Sequence, residues 1–485
     1  MIGSTRLFIG GSWIEPSSVR RLKVVSPSTE EIIAEVPEAL ADDVDRAVEY
    51  ARVAFDEGPW PQLSAHERAA ALRRIAAHLS TRVEELATTI TSEVGCPIGF
   101  GRQQAMGPIG MLLATADLVE TYAFSSRATG MARNAILRFE PVGVVAAIVP
   151  WNGPLYLAIS KLAPALAAGC TVIVKPAPET PLNAQILAEA CEAAELPRGV
   201  ISVLPGGRET GQHLVAHRGV DKVAFTGSTA AGRMIMATCA ERIARVSLEL
   251  GGKSAAIVLN DADPVLAASQ MLMGTTLNSG QACALLSRIL VPKAKRNEFV
   301  DALSSLMSSL TVGDPFDEAT TLGPLVSHRQ RDRVEEYIRI GVNEGAQVAL
   351  GGGRPAELPK GWYVQPTILV GADNTMKSSR EEIFGPVVSV IDYDGDESTA
   401  VSIANDSEYG LHGAVFTDDL ERGLDVARRV RTGTFTINGF GLDPSIPFGG
   451  YKQSGIGREG GPLGLASFLE TKALFLPDGF EPAVN

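Results

Sequence analysis

The sequence predicts an α/β protein made of two consecutive α/β units with a small extension. Three observations carry this expectation. Between residues 141 and 250, short β-rich runs alternate with helical stretches, the pattern of a parallel, doubly wound sheet. A second alternating unit begins near residue 251, and the tail "FLETKALFLP" reads as an extended edge segment.

The elements follow in order. After a short N-terminal hairpin, "ADDVDRAVEYARVAF" sets Val44, Ala47, Val48, Ala51 and Ala54 near a helical repeat. Helical patterning continues through "SAHERAAALRRIAAHLSTRVEELATTITSEVG", with Ser64 as an N-cap. These early helices read as scaffold rather than site. "VGVVAAIVP" is then a buried strand, "LYLAISKLAPALAAG" an apolar helix and "CTVIVKP" the next strand. A helix from Asn183 to about Ala194 follows, then the strands "VISVLPG" and "KVAFTG" with a helix between them and another after Thr229. The second unit contains "SAAIVL", a helix before residue 277, "SRILVP", a helix over 294–310, "VVSVIDY" and "GAVFT".

Length and composition bound the function. A chain of 485 residues suits two or three domains, and 45% hydrophobic with 20% charged residues is ordinary for a soluble globular protein. The net charge of -13 argues against a nucleic-acid or anionic-membrane surface. "MIGSTRLFIGGSWIEP" lacks the basic and apolar regions of a secretory signal, and no run reaches the roughly 20 apolar residues of a membrane span. Cys96, Cys170, Cys191, Cys239 and Cys283 are odd in number and scattered, which fits a reducing cytoplasm better than a disulfide framework.

Several local motifs bear on chemistry. "FTGSTAAG" follows a strand and opens a helix, so Gly227 and Gly232 would let an anion approach the helix N-terminus; an ordinary strand-to-helix turn explains it equally well. "GIGREG" matches a dinucleotide fingerprint but has no strand before it and too little chain after it. His213 and His217 are spaced four apart without the Glu of a zinc peptidase, so they read as a helix-surface pair and no metal site is expected. Cys283, after "NSGQ", is either a buried small hydrophobe or a nucleophile on a turn. Glu249, at a strand end beside Gly251–Gly252, is either an exposed charge or a general base of raised pKa.

Seven segments in order resemble the aldehyde dehydrogenase superfamily along nearly the whole chain: "PWN" (150–152), "KPAPETP" (175–181), "FTGST" (225–229), "LELGGKS" (248–254), "GQAC" (280–283), "EEIFGP" (381–386) and "PFGGYKQSGIGRE" (447–459). The resemblance implies a Rossmann-type cofactor domain over 1–122 and 142–250, an α/β catalytic domain over 251–453, and oligomerisation segments over 123–141 and 454–485. It further implies oxidation of an aldehyde to the acid with NAD, NADP remaining open, in a homodimer or homotetramer.

By the same resemblance, Cys283 attacks the aldehyde, Asn152 and the Cys283 N–H hold the oxyanion, and Glu249 activates water. Lys161 and Glu459 match a proton path around that base. Trp151, Lys175, Gly227, Ser228, Gly232, Leu250, Glu382 and Phe384 fall at cofactor positions. Many NAD-preferring members carry an acid three residues after the equivalent of Lys175; here Pro178 stands there, and Glu179 follows as a possible substitute. Gly153, Ser160, Ala282 and Ala284 are small, which implies a wide substrate tunnel walled by Tyr156, Leu157 and Phe448 and suited to bulky apolar or aromatic aldehydes. Two rivals stand beside this reading. A CoA-acylating dehydrogenase usually lacks the acidic base that Glu249 supplies, and a non-catalytic NAD-binding relative could lose Cys283, Asn152 or Glu249.

Overall fold

The computed structural model describes residues 4–131, 133–477 and 480; the ends of the expected tail and N-terminal segments, with residue 132, lie outside the described residues. The alternating unit forms an eight-stranded sheet whose five central strands are parallel. Their spatial order is Ile201–Val203, Thr171–Lys175, Val144–Ile148, Lys222–Thr226, Arg245–Glu249. Order therefore reverses between Val144–Ile148 and Lys222–Thr226, where the first and fourth strands of the unit lie side by side. A ligand crevice is expected at the carboxyl ends of such a pair. Val144–Ile148, Thr171–Lys175 and Lys222–Thr226 are buried at every position, which is why they read as continuous apolar runs rather than alternating ones.

The N-terminal hairpin Leu7–Ile9/Ser12–Ile14 extends one edge of this sheet. At the other edge Gly455–Ile456 pairs antiparallel with Arg245–Glu249, so part of the tail belongs to the body of the sheet. Helix Pro154–Ala168 starts with Pro154 at its first turn and ends at Gly169, whose φ of +99° suits glycine. Ser64 caps Ala65–Ser80 by accepting from the Glu67 N–H, with Glu67 returning the bond.

The second unit is a seven-stranded sheet, parallel except for Gln347–Leu350 at one edge. It opens at Ser254–Val258 and continues through Leu286–Pro292, Val387–Tyr393 and Gly413–Phe416. The two sheets meet end to end. Trp151, Asn152, Gly227 and Glu249 stand at carboxyl ends of the first sheet, while Gly252, Cys283, Phe384 and Leu411 stand just before strands of the second. Ser125–Thr129, Asn134–Pro141 and Leu469–Phe475 form a separate antiparallel three-stranded sheet, with Leu474 and Phe475 exposed on its outer strand. Among the described residues no helix is long and apolar enough to cross a membrane.

Candidate active site

The loop before Leu286–Pro292 is tightly constrained. Asn278, Ser279 and Gly280 all take positive φ, at 52°, 54° and 79°. Gly280 tolerates no side chain, because a β-carbon would fall 2.0 Å from the Gly385 carbonyl carbon. Ser279 Oγ donates to the Gly323 carbonyl at 2.8 Å, and buried Gln281 accepts from the Val326 N–H at 3.0 Å. Backbone strain held by so many contacts is typical of a functional loop. It delivers Cys283 to the wall of a tunnel of about 840 Å³.

Asn152, Gly153, Tyr156, Leu157, Ser160, Ala282, Ala284, Phe448 and Glu459 line the same tunnel, so these expected residues converge. Asn152 Nδ2 donates one hydrogen to the Gln281 carbonyl at 3.0 Å, which fixes the amide and leaves its second N–H to donate. Asn278 Nδ2 donates to the Asn152 carbonyl at 3.0 Å, tying the two loops together. Cys283 also borders a narrow cleft that contains Glu382 and Phe384, so the thiol stands between tunnel and cleft.

Glu249 and Lys161 lie behind the tunnel wall. Both Glu249 oxygens are buried without a hydrogen-bond partner. Burial, then the neighbouring charge of Glu459, push this carboxyl well above the usual range, while Lys161 and Arg458 pull the other way. An unpartnered carboxyl of raised proton affinity is suited to act as a base near neutral pH. Lys161 Nζ bonds Glu459 Oε1 and Thr226 Oγ1, each at 2.6 Å. Burial, with Glu382 and Glu249 adding negative charge, pushes the Cys283 thiol up to about 12, so it rests as the protonated form.

The strand-order reversal presents groups of the kind that hold a dinucleotide. Ser228 caps helix Thr229–Ala240 by accepting from the Ala231 N–H. Gly232 brings that helix so close to Leu250 that a β-carbon would fall 2.6 Å from the leucine side chain. A pyrophosphate is stabilised at a helix N-terminus presented in this way. Lys175 is buried, donates to the Pro176 and Gly206 carbonyls at 2.9 and 2.7 Å, and is lowered to about 8 by burial. Glu382 accepts from the Gly252 N–H at 3.1 Å, and Trp151 meets Phe384 edge-on at 5.4 Å. Phe384 holds a φ of +64°, a strained conformation for a non-glycine. Glu179 pairs with Arg329 at 3.4 Å, and Pro178 beside it has no charge to offer.

The helix Ile98–Thr121, which lies beyond the helical segments expected to be scaffold, supplies Phe100, Gln103, Gln104, Met111, Thr115 and Leu118 to the tunnel. That helix is apolar on more than one face, with Leu112, Ala116 and Val119 turned into the core. The two consecutive glutamines within it were the available clue. His213 and His217 share Asp45, at 2.6 and 3.5 Å. Among the described residues no group of three or more His, Cys, Asp or Glu could hold a metal.

Fold and site together define a dinucleotide-dependent oxidoreductase with a cysteine between its cofactor cleft and its substrate tunnel. Residues 13–474 match the model of the aldehyde dehydrogenase family, and the chain belongs to that family. A geranial dehydrogenase of Castellaniella defragrans is 46% identical, the match covering 98% of this chain and 99% of the relative. A Mycobacterium tuberculosis aldehyde dehydrogenase in complex with NAD+ superposes with a TM-score of 0.97 at 46% identity, covering 99% of each chain. A Pseudomonas syringae aldehyde dehydrogenase mutant bound to NAD+ and octanal superposes with a TM-score of 0.95 at 40% identity, covering 99% of this chain and 98% of that one. The protein is an NAD(P)+-dependent enzyme that oxidises aldehydes.

Proposed function

We propose that this enzyme converts a bulky, largely apolar aldehyde to the free acid, with Cys283 as nucleophile and water as the final acyl acceptor. The observation that carries the substrate class is the tunnel, whose volume of about 840 Å³ exceeds what acetaldehyde needs and whose walls include Phe100, Met111, Leu118, Leu157 and Phe440. Among its described lining residues none is Lys or Arg, while Asp117, Asp443 and Glu459 are acidic, so a substrate carboxylate finds no partner there. The relatives named for geranial and bound to octanal are in keeping with this class.

In this reading Cys283 gives up its thiol proton to water in the tunnel as Sγ bonds to the aldehyde carbon, and the free N–H of Asn152 Nδ2 receives the oxyanion. A donor of this kind contributes about 3 kcal/mol to the transition state. Lys175, Ser228, Glu382 and Phe384, with Trp151, Gly227, Gly232 and Leu250 shaping the crevice, hold the cofactor. NAD bound there supplies the hydride acceptor. Glu249 then takes the proton of the water that attacks the Cys283 thioester, and the C–S electron pair returns to sulfur. The domain division expected from the sequence remains our assignment, and we assign the three-stranded sheet of residues 125–141 and 469–475 to contact with a second copy of the chain.

The test is a panel of benzaldehyde, geranial, octanal and acetaldehyde run with NAD and with NADP. A higher kcat/KM for the large aldehydes is expected, and a preference for acetaldehyde would refute the substrate class. Product analysis with and without CoA separates hydrolysis from thiol transfer.

A further inference from the structure

Ser160, a small residue of the tunnel wall, makes contacts that size alone does not explain. Its Oγ lies 2.8 Å from Glu459 Oε2 and 3.0 Å from the carbonyl oxygen of Leu157, one turn back on its own helix. A hydroxyl carries a single hydrogen, so it cannot donate to both at once. When Glu459 is ionised, the hydrogen goes to Oε2. When Oε2 is protonated, that O–H donates to Ser160 Oγ, and the serine hydrogen turns to Leu157. Neither state leaves a buried group unsatisfied.

The other Glu459 oxygen is already fixed by Lys161 at 2.6 Å, and Thr226 holds Lys161 from behind at 2.6 Å. Both Ser160 and Glu459 line the tunnel, whereas Glu249 does not. The charged and titratable groups felt around Glu459 are Lys161, Lys222, Glu249, Tyr156 and Cys283, with Arg458 beside it acting on Glu249. Of these, only Glu249 combines burial with two unpartnered oxygens.

We propose that Ser160 is a positioning residue which, by turning its hydrogen between Leu157 and Glu459, lets Glu459 accept the proton that Glu249 takes from the hydrolytic water and release it toward the tunnel. The step balances: the water oxygen bonds to the acyl carbon, the C–S bond breaks with its electrons left on sulfur, and the proton moves through Glu249 to Glu459. The inference rests on the reading of Glu249 as the water-activating base.

Stopped-flow NADH formation tests it on Ser160→Ala and Ser160→Thr. In Ser160→Ala the first turnover keeps its rate and the steady-state rate falls about tenfold, the scale of one lost hydrogen bond to a charged group. Ser160→Thr, which keeps the hydroxyl, restores it, and the solvent deuterium effect on the steady state grows in Ser160→Ala. An unchanged steady-state rate with only an altered KM for the aldehyde would leave Ser160 a plain wall residue and overturn the proposal. So would an equal fall of first turnover and steady state that threonine does not rescue. Glu249→Gln separates the two readings. If it turns over at the wild-type rate, the base assignment fails. If it stops after one turnover while Ser160→Ala is normal, only the role of Ser160 fails.

Discussion

Gly252 lies so close to Cys283 that a β-carbon on the glycine would stand 2.4 Å from the cysteine carbonyl oxygen. The same glycine donates its N–H to Glu382 at 3.1 Å. One residue without a side chain thus sets the spacing between the nucleophile loop and a carboxylate of the cofactor cleft.

Gly252→Ala is therefore expected to push the Cys283 backbone away from its place. Displacement of a reacting group by about 1 Å costs on the order of a hundredfold in rate. NAD affinity should fall much less, because the crevice at the strand-order reversal is untouched. Steady-state kcat beside NAD binding by fluorescence titration checks this; equal losses in both would mean general damage.

Cys283→Ala and Glu249→Gln should fail at different stages. The alanine variant binds NAD yet forms no NADH above background. The glutamine variant forms about one equivalent per site and then stalls, because base catalysis of this kind contributes roughly a hundredfold or more. Quenched-flow product analysis distinguishes them.

Much of this site was legible in the sequence, and the reason is local. Asn152, Cys283, Glu249 and Glu382 sit at strand ends or on loops beside them, within short segments whose geometry is nearly self-contained. The alternating buried strands announced the sheet for the same reason. The contribution of the helix Ile98–Thr121 to the tunnel depends on how it packs across Pro154–Ala168, a tertiary relationship of which the consecutive Gln103 and Gln104 give only a faint local sign. Asn278 lies in a segment with only loop character in the sequence, although its two side-chain bonds tie Asn152 to the Cys283 loop. In the sequence Ser160 shows only its small size, and the fold alone brings Glu459 within 2.8 Å of it.

Cofactor choice follows from the Glu179–Arg329 pair. With Glu179 engaged at 3.4 Å and Pro178 uncharged, little negative charge opposes a 2′-phosphate near Lys175. We expect NADP to bind within about tenfold of NAD, one lost charge contact being worth about 1.4 kcal/mol. Pro178→Glu should restore discrimination by weakening NADP alone, read by isothermal titration with both cofactors.

Stability should carry a signature from Glu93. This buried carboxyl accepts from the Leu182 N–H at 2.5 Å and from Asn183 Nδ2 at 2.9 Å, bonding the start of the helix Leu182–Ala193. Burial raises it to about 7 against those bonds. The folded state then holds a proton that the unfolded chain has released, so stability falls as pH rises from about 4.5 to about 7 and levels off above. The group accounts for about 3 kcal/mol of that fall. Chemical denaturation at pH values across this window should show a shallower decline in Glu93→Gln than in the wild type.

The tunnel supplies the last prediction. A β-carbon on Gly153 would stand 3.3 Å from Gln104 Oε1 and 3.7 Å from Leu157, so the space left by the missing side chain is already shared with the glutamine amide. Gln104 Oε1 is itself buried without a partner, and nothing polar anchors that oxygen against displacement. Gly153→Phe should therefore drive Gln104 and Leu157 outward and narrow the passage beside Asn152. Overpacking of this sort costs about 1–3 kcal/mol, so Tm should drop by a few degrees while the fold survives. The substrate profile should change more than stability does. kcat/KM for geranial and benzaldehyde should fall at least tenfold, with that for acetaldehyde held or raised. Gln104→Ala should act in the opposite sense by widening the same point. If both substitutions leave the ratio of large to small aldehydes unchanged, the passage beside Gly153 does not govern size selection.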